Sequence, residues 1–281
     1  MTAALATAQA AAAADVLRDW LAARRRILVL TGAGISTASG IPDYRGPDGA
    51  WKRRAPITFQ AFMRDPAMRA RYWARSFVGW PLMARAQPNA AHRALLTLAA
   101  HGRLAGLVTQ NVDGLHTRAG QHDVIDLHGR IDRVVCLDCG ARDTRAALQQ
   151  RLADDNPGWA GLSAAVAPDG DADLERFDFD QFRAPACSAC GGLLKPDVVF
   201  FGENVPRERV AAAFAALESA DAMLVVGSSL MVYSGYRFAR LAHERGLPLA
   251  LLTRGVTRAD AIAGLKLDAD CADTLAGAIE R

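Results

Sequence analysis

No apolar run in the 281-residue chain approaches the roughly 18 residues that span a bilayer, so no membrane association is expected. Charge of one sign is lacking too: 33 Lys and Arg stand against 30 Asp and Glu, a formal +3 spread along the sequence. Binding to nucleic acid through bulk charge therefore has no support, and no such partner is expected. The stretch Met1 to Ala14 is almost all Ala and holds no basic residue, which fits neither a secretory signal nor an organellar presequence. The expected location is cytoplasmic. With 51% hydrophobic and 22% charged residues the chain has an ordinary globular balance, which excludes wholesale disorder.

Cysteine is scarce, and its placement is informative. Four of the five cysteines form two C-x-x-C pairs, Cys136/Cys139 and Cys187/Cys190, each followed directly by Gly. A C-x-x-C-G turn lets two thiolates converge on one metal, and two such turns make a tetrahedral site. A disulfide or a redox couple also fits a single pair, but two pairs in a cytosolic chain favour zinc. All-cysteine ligation leaves no position for a substrate, so this zinc is expected to be structural. The 47 residues from Gly140 to Ala186 exceed ordinary zinc-ribbon spacing, so the turns flank an insertion. Cys271 is left over, as a small buried hydrophobe.

The short apolar runs Arg26–Thr31, Leu104–Thr109, Val124–Leu127, Ala222–Gly227 and Pro248–Thr253 read as buried parallel strands. Helical stretches lie between them, notably Asn89–His101, Arg207–Ala220 and Tyr233–Gly246. This alternation predicts an α/β fold, a Rossmann-like doubly wound parallel sheet with a small inserted zinc-binding domain. The expected division is a tail and helix over 1–26, a nucleotide-binding domain over 27–132 and 195–281, and a zinc module over 133–194. Within the insertion, Asp169–Glu175 lacks the glycine of a calcium loop, with Leu174 in its place, and reads as a solvated acidic loop.

Gly32-Ala33-Gly34 follows the first strand and brings backbone close to a pyrophosphate. The third glycine of the dinucleotide fingerprint is missing, with Thr37 there instead. No acidic residue ends a second strand some 20 residues on, which argues against hydride transfer.

The longer stretch Gly32-Ala-Gly-Ile-Ser-Thr-Ala-Ser-Gly-Ile-Pro-Asp-Tyr-Arg-Gly46 is more specific. Together with Thr109-Gln-Asn-Val-Asp-Gly-Leu-His116, Leu127-His-Gly129, Lys195-Pro-Asp-Val-Val-Phe-Phe-Gly-Glu203 and Gly227-Ser-Ser229, it resembles the sirtuins. The blocks run in order from about Ile27 to Cys271, and both cysteine pairs fall where that family keeps its zinc. Arg71–Trp80 and Ala167–Gly170 further resemble its class II branch, which has bacterial members.

The resemblance implies NAD as a consumed co-substrate meeting an acyl-lysine protein in a cleft between the domains. The acyl oxygen attacks the nicotinamide-bearing ribose carbon, nicotinamide leaves, and the products are lysine and O-acyl-ADP-ribose. His128 is then the general base on the ribose; without the motif it reads as a core histidine bonded to a carbonyl. Gln110 and Asn111 orient the ribose, and Asp113 with the Val112 backbone holds nicotinamide, although Asn111–Gly114 also fits a plain turn.

Gly32, Ala33, Gly34, Ser36 and Thr37 face phosphate, and Asp43, Tyr44 and Arg45 follow on a Pro-containing loop. Gly227, Ser228 and Ser229 bind phosphate or ribose. The hydroxyls of both loops also suit helix caps. Thr253, Arg254 and Gly255 stand where the family usually opens with Asn at the adenosine ribose, and Cys271 lies near adenine. Val199, Phe200, Gly202 and Glu203 belong to a segment that pairs with substrate backbone; the plain alternative is a core strand.

Tyr72 and Arg75 match a pair that meets acyl chains ending in carboxylate; an amphipathic helix with one exposed Arg fits equally. The implied activity is an NAD-dependent protein-lysine deacetylase or related deacylase. A mono-ADP-ribosyltransferase needs the same loop and Asp113 but not His128, and a non-catalytic NAD-binding module needs none of the polar set. The acyl group, the protein targets and the oligomeric state are left open.

Overall fold

The computed structural model describes residues 3–52, 56–165, 169–174 and 177–279. The chain begins with α1 (Ala3–Ala22), β1 (Ile27–Thr31), α2 (Phe59–Arg64), α3 (Pro66–Arg85) and α4 (Ala90–Ala100). β2 (Leu104–Thr109), α5 (Leu115–Arg118), β3 (Val124–Asp126), β4 (Gly129–Cys136) and β5 (Arg142–Thr144) follow. Then come α6 (Arg145–Asp155), β6 (Leu194–Val198), α7 (Arg207–Glu218) and β7 (Ala222–Val226). The chain closes with α8 (Tyr233–Glu244), β8 (Leu249–Leu252), β9 (Leu265–Leu267) and α9 (Cys271–Ile279).

Six strands form a parallel sheet in the order β3-β2-β1-β7-β8-β9. Strand side chains alternate between faces, and both faces are covered. Ile27 and Val29 join one apolar cluster with residues of α1, α4 and α9, while Leu28 and Leu30 join another with α7 and α8. Two buried faces explain why the strands read as unbroken apolar runs. The strand order reverses between β1 and β7, and ligands of such sheets gather at the carboxyl ends around that point. The doubly wound sheet is the one the alternation led us to expect. The sixth strand, β9, is three residues long and interrupted by Lys266, too short to stand out in the sequence.

A second, antiparallel sheet has the order β5-β4-β6. It shares an apolar cluster with α2, α3 and α6: Phe62, Trp73 and Phe77 pack with Val134, Leu148, Phe182 and Leu194. The expected module edges at 133 and 195 therefore cut through β4 and β6, and residues 59–85 pack on the module although they lie far upstream of it. Antiparallel β4 and β6 are fixed by pairing across a long insertion, which local pattern does not reveal. Of the expected tail and helix, α1 packs on the large sheet's cluster, with Leu17 and Leu21 buried beside α9.

The acidic run was expected to be solvated, but of its described residues only Asp173 is exposed. Asp171, Ala172 and Leu174 are buried, and Gly170 lies against α3, where a Cβ on Gly79 would come 1.9 Å from the Gly170 carbonyl oxygen. Apolar Ala172 and Leu174 pull the segment inward. Of the two stretches that suggested the class II branch, Arg71–Trp80 is helical in α3, whereas Ala167 and Pro168 lie outside the described residues. Glu175, at the end of the acidic run, lies outside them as well.

Candidate active site

A cavity of about 390 Å³ opens at the carboxyl ends of the parallel strands. Gly32, Ala33 and Gly34 line it beyond β1, Gln110, Asn111 and Val112 beyond β2, and His128 beyond β3. Gly227, Ser228 and Ser229 line it beyond β7, and Thr253 and Arg254 beyond β8. The facing wall comes from Asp43, Tyr44 and Arg45, from Tyr72 on α3, and from Val199, Phe200, Gly202 and Glu203 after β6.

The glycines are required where the β1 and β7 loops meet. A Cβ on Gly32 would come 2.7 Å from Ser228 Cβ, and one on Gly34 would come 2.9 Å from Gly227 Cα. Gly34 N–H donates to the Gly227 carbonyl at 2.8 Å, so the two loops are fastened backbone to backbone. The bare main chain this leaves at the switch point suits a pyrophosphate.

Behind the loop lies a buried polar knot. Ser36 Oγ donates to Asp113 at 2.7 Å, Asn111 Nδ2 donates to Gly32 O and Ser36 Oγ at 3.1 Å each, and Leu115 N–H donates to Asp113 at 2.8 Å. Burial raises the Asp113 pKa, and these donors with Arg118 and Arg130 oppose it.

Ser36 and Asp113 thus brace the β1 loop to the β2 loop and stand behind the residues that line the cavity. Thr37, Gly255 and Cys271 do not line it either. Thr37 Oγ1 donates to Gly34 O at 3.0 Å, as a local turn bond. Gly255 packs under Pro47, whose carbonyl oxygen lies 2.3 Å from where its Cβ would sit. Cys271 is buried at the start of α9, its thiol pushed up to about 12 chiefly by burial.

Gly129 explains how His128 is aimed. With φ at 83° and a would-be Cβ 2.1 Å from Asp197 O, only glycine lets the chain turn from β3 into β4. His128 Nδ1 lies 2.9 Å from the Gln110 carbonyl oxygen, which can only accept, so Nδ1 carries the proton and Nε2 is the open base. Nε2 lies 2.8 Å from Ser234 Oγ of α8. An unperturbed imidazole titrates near neutrality. Burial, aided by Arg209 and Arg237 and opposed by the Gln110 bond, lowers it to about 4, so it is a free base at neutral pH.

At the facing wall Arg45 stacks 4.1 Å over Trp51 and donates to Gly49 O at 2.8 Å, closing the Asp43–Trp51 loop on itself. Tyr72 borders the cavity, packed edge-on against Phe62. Arg75 does not border it; its Nε lies 3.6 Å from buried Asp171. The inward loop brings the Asp171 side chain to Arg75 from within the fold. Burial, with Asp169 next to it, holds the Asp171 carboxyl well above its usual range.

Ser234, Trp51, Asp169 and Asp171 also line the cavity and went unnoticed in the sequence. Ser234 was hidden inside an expected helix, and the two acids inside the supposed surface loop.

The four cysteines come together at the far end of β4. Their sulfurs lie within 4.8 Å of one another, with Cys136–Cys190 at 3.6 Å and Cys139–Cys187 at 3.8 Å. A Zn–S bond of about 2.3 Å makes a tetrahedron of edge about 3.8 Å, so the set fits zinc. Gly140 and Gly191, with φ of 75° and 74°, close the two turns by donating to the Cys136 and Cys187 carbonyls.

A doubly wound sheet with a glycine-lined switch-point cleft, walled by a four-cysteine module, defines a nucleotide-binding α/β protein with an imidazole base in its cleft. A sequence profile of the Sir2 family matches residues 32–234. An NAD-dependent protein deacetylase of Xanthomonas campestris pv. campestris is 60% identical over 260 residues, 92% of this chain and 89% of that one. One from Bordetella bronchiseptica is 58% identical over 262 residues, covering 93% and 96%. A Sir2 structure with a p53 peptide and NAD+ aligns with TM-score 0.74 at 31% identity, covering 93% and 95%. The chain belongs to the Sir2 family.

Proposed function

We infer that the chain is an NAD-dependent protein-lysine deacetylase, taking NAD as co-substrate and holding one structural zinc. The observation that carries this reading is the unprotonated His128 Nε2 at the carboxyl end of the sheet, in one cavity with the glycine loops and the Val199–Glu203 segment. Relatives about 60% identical over nearly the whole chain carry the same activity in their names.

In this reading the residues divide by wall. Gly32, Ala33, Gly34, Gly227, Ser228 and Ser229 hold the phosphates and adenosine ribose, with Thr253 and Arg254 at its edge. Gln110, Asn111 and Val112 orient the nicotinamide ribose, and Asp113 with Ser36 fixes their loop. His128 takes a proton from a ribose hydroxyl once the acyl oxygen has attacked and nicotinamide has left. Val199, Phe200, Gly202 and Glu203 receive the peptide as an added strand. Glu203 is itself fixed, bonded by Phe200 N–H at 2.8 Å and by Lys195 at 3.0 Å. Cys136, Cys139, Cys187 and Cys190 hold the zinc, which closes two turns and takes no part in the chemistry.

Protein substrates carrying acyl-lysine, in the cytoplasm, complete the proposal; a thiolate-only zinc site suits a reducing compartment. Among the described residues no helix is long and apolar enough to cross a membrane.

Mass spectrometry of the protein with NAD and acyl-lysine peptides tests the reading. The panel spans acetyl, long-chain, lipoyl, succinyl and methylglutaryl groups, with His128→Tyr as control. O-acyl-ADP-ribose from the native protein and not from the variant is expected, and its rate profile identifies the acyl class. An ADP-ribose mass added to protein without that product would move the assignment to a transferase.

A further inference from the structure

His128 is gripped from two sides. On one side the Gln110 carbonyl takes the Nδ1 proton at 2.9 Å. Gln110 is in turn fixed by Ser228 Oγ, which donates to its side-chain oxygen at 2.6 Å. On the other side Ser234 Oγ stands 2.8 Å from Nε2. Since Nδ1 holds the ring proton, Nε2 can only accept, so the Ser234 hydroxyl is the donor in this bond.

The first turn of α8 is built to approach here. A Cβ on Gly235 would come 2.5 Å from Gln110 Nε2, so glycine at that position lets the turn carrying Ser234 close on the same Gln110 that holds the other ring nitrogen. Arg209 of α7 and Arg237 of α8 are the charged groups acting on the ring, and both disfavour the imidazolium. The imidazole must nonetheless carry positive charge for a moment when it takes a proton.

We propose that Ser234 is the positioning residue of the His128 base. Its hydroxyl holds Nε2 at the cavity by donating to its lone pair, then rotates off that lone pair and becomes the acceptor once Nε2 is protonated. As the Ser234 bond to Nε2 is released, the ribose O–H bond breaks and the freed lone pair forms the Nε2–H bond, from which the Ser234 oxygen then accepts. Hydrogen bonds to a charged partner are about twice as strong as neutral ones, so the hydroxyl favours the protonated ring more than the resting one.

The inference rests on the deacylase reading but fails separately from it. Nicotinamide departs before the base acts, so exchange of labelled nicotinamide into NAD with acyl peptide present reports the earlier step. In Ser234→Ala, O-acyl-ADP-ribose formation is expected to fall about tenfold, some 1.4 kcal/mol of barrier, with exchange unchanged within about twofold. Ser234→Thr keeps the hydroxyl and is expected to recover most of the loss.

In the protein without NAD, ¹⁵N spectra of labelled histidine are expected to show His128 protonated at Nδ1, with an Nε2 resonance that moves in Ser234→Ala and not in Ser234→Thr. Equal falls in exchange and product formation would overturn the proposal, as would unaltered product formation or an unmoved Nε2 resonance. Native protein that forms no O-acyl-ADP-ribose would overturn the deacylase reading instead.

Discussion

Replacing Gly79 with Ala sets two effects of opposite sign against each other. Gly79 lies inside α3, and in a free helix the change to Ala gains about 1 kcal/mol of helix propensity. Here the new methyl would sit 1.9 Å from the Gly170 carbonyl oxygen and 2.9 Å from its carbon. Real Cβ contacts stay beyond 3.0 Å, so the loop must retreat by at least 3.0 − 1.9 = 1.1 Å. A retreat of that size stretches the bond from Ala172 N–H to the Arg75 carbonyl, now 3.1 Å, and parts Arg75 from Asp171.

Overpacking of this kind costs about 1–3 kcal/mol and the lost bond about 1 more. After the propensity gain the net loss is about 1–3 kcal/mol, or roughly 2–5 °C in Tm. Asp169 and Asp171 ride on the displaced segment and line the cavity beside Tyr44 and Tyr72, so kcat/KM for acyl peptides should fall while NAD affinity holds. Differential scanning calorimetry and peptide kinetics read both. A variant as stable as the parent or more so, with unchanged peptide kinetics, would refute the packing of the 169–174 loop on α3.

Three further outcomes are expected. Chelating zinc, or Cys187→Ala, should abolish activity together with the folding of the small module, seen as lost amide protection in β4 and β6; full activity in metal-free folded protein would refute a structural metal. Arg75→Ala should turn over succinyl and acetyl peptides in the parent's ratio, because Asp171 already faces the guanidinium; a changed ratio would return Arg75 to the acyl chain. His128 titrates at about 4 folded and 6.5 unfolded, so the unfolded chain binds the proton first as pH falls through that window, and stability drops. Removing this group in His128→Gln should therefore make the variant about 2 kcal/mol more stable relative to the parent at pH 5 than at pH 7.5, by urea unfolding; equal differences at both pH values would refute the depressed pKa.

The strands of the large sheet were legible because burial on both faces writes itself into sequence as unbroken apolar runs. The same holds for the glycine loops and the cysteine pairs, whose chemistry is local. Contacts made by distant segments were not legible. Nothing near Gly79 signals that Gly170 will lie on it, so Asp171 read as a solvated acid although it faces Arg75. The bond between Asp113 and Ser36 was not legible either, because it crosses 77 residues of chain. Ser234 fell on an expected helix, and only the turn of α8 toward Gln110 makes it a neighbour of the base.

The zinc site and the imidazole are joined by one strand. β4 starts at Gly129, beside His128, and ends at Cys136, a metal ligand, so it spans about 24 Å between chemistry and staple. β6 pairs with it from Leu194, four residues beyond Cys190, and runs out into Val199, whose N–H donates to the His128 carbonyl at 2.8 Å. The two turns closed by the cysteines thus anchor one end of the strand pair whose other end lies beside His128 and the Val199–Glu203 wall. The register shifts between Gly129 and Val134, so the pairs Val134–Pro196, Val135–Lys195 and Cys136–Leu194 at the metal end are followed by a separate pairing of Gly129 with Val198. Loss of the metal should therefore reach His128 through this strand pair, as displacement of the Gly129 turn rather than as a change in the acidity of the ring.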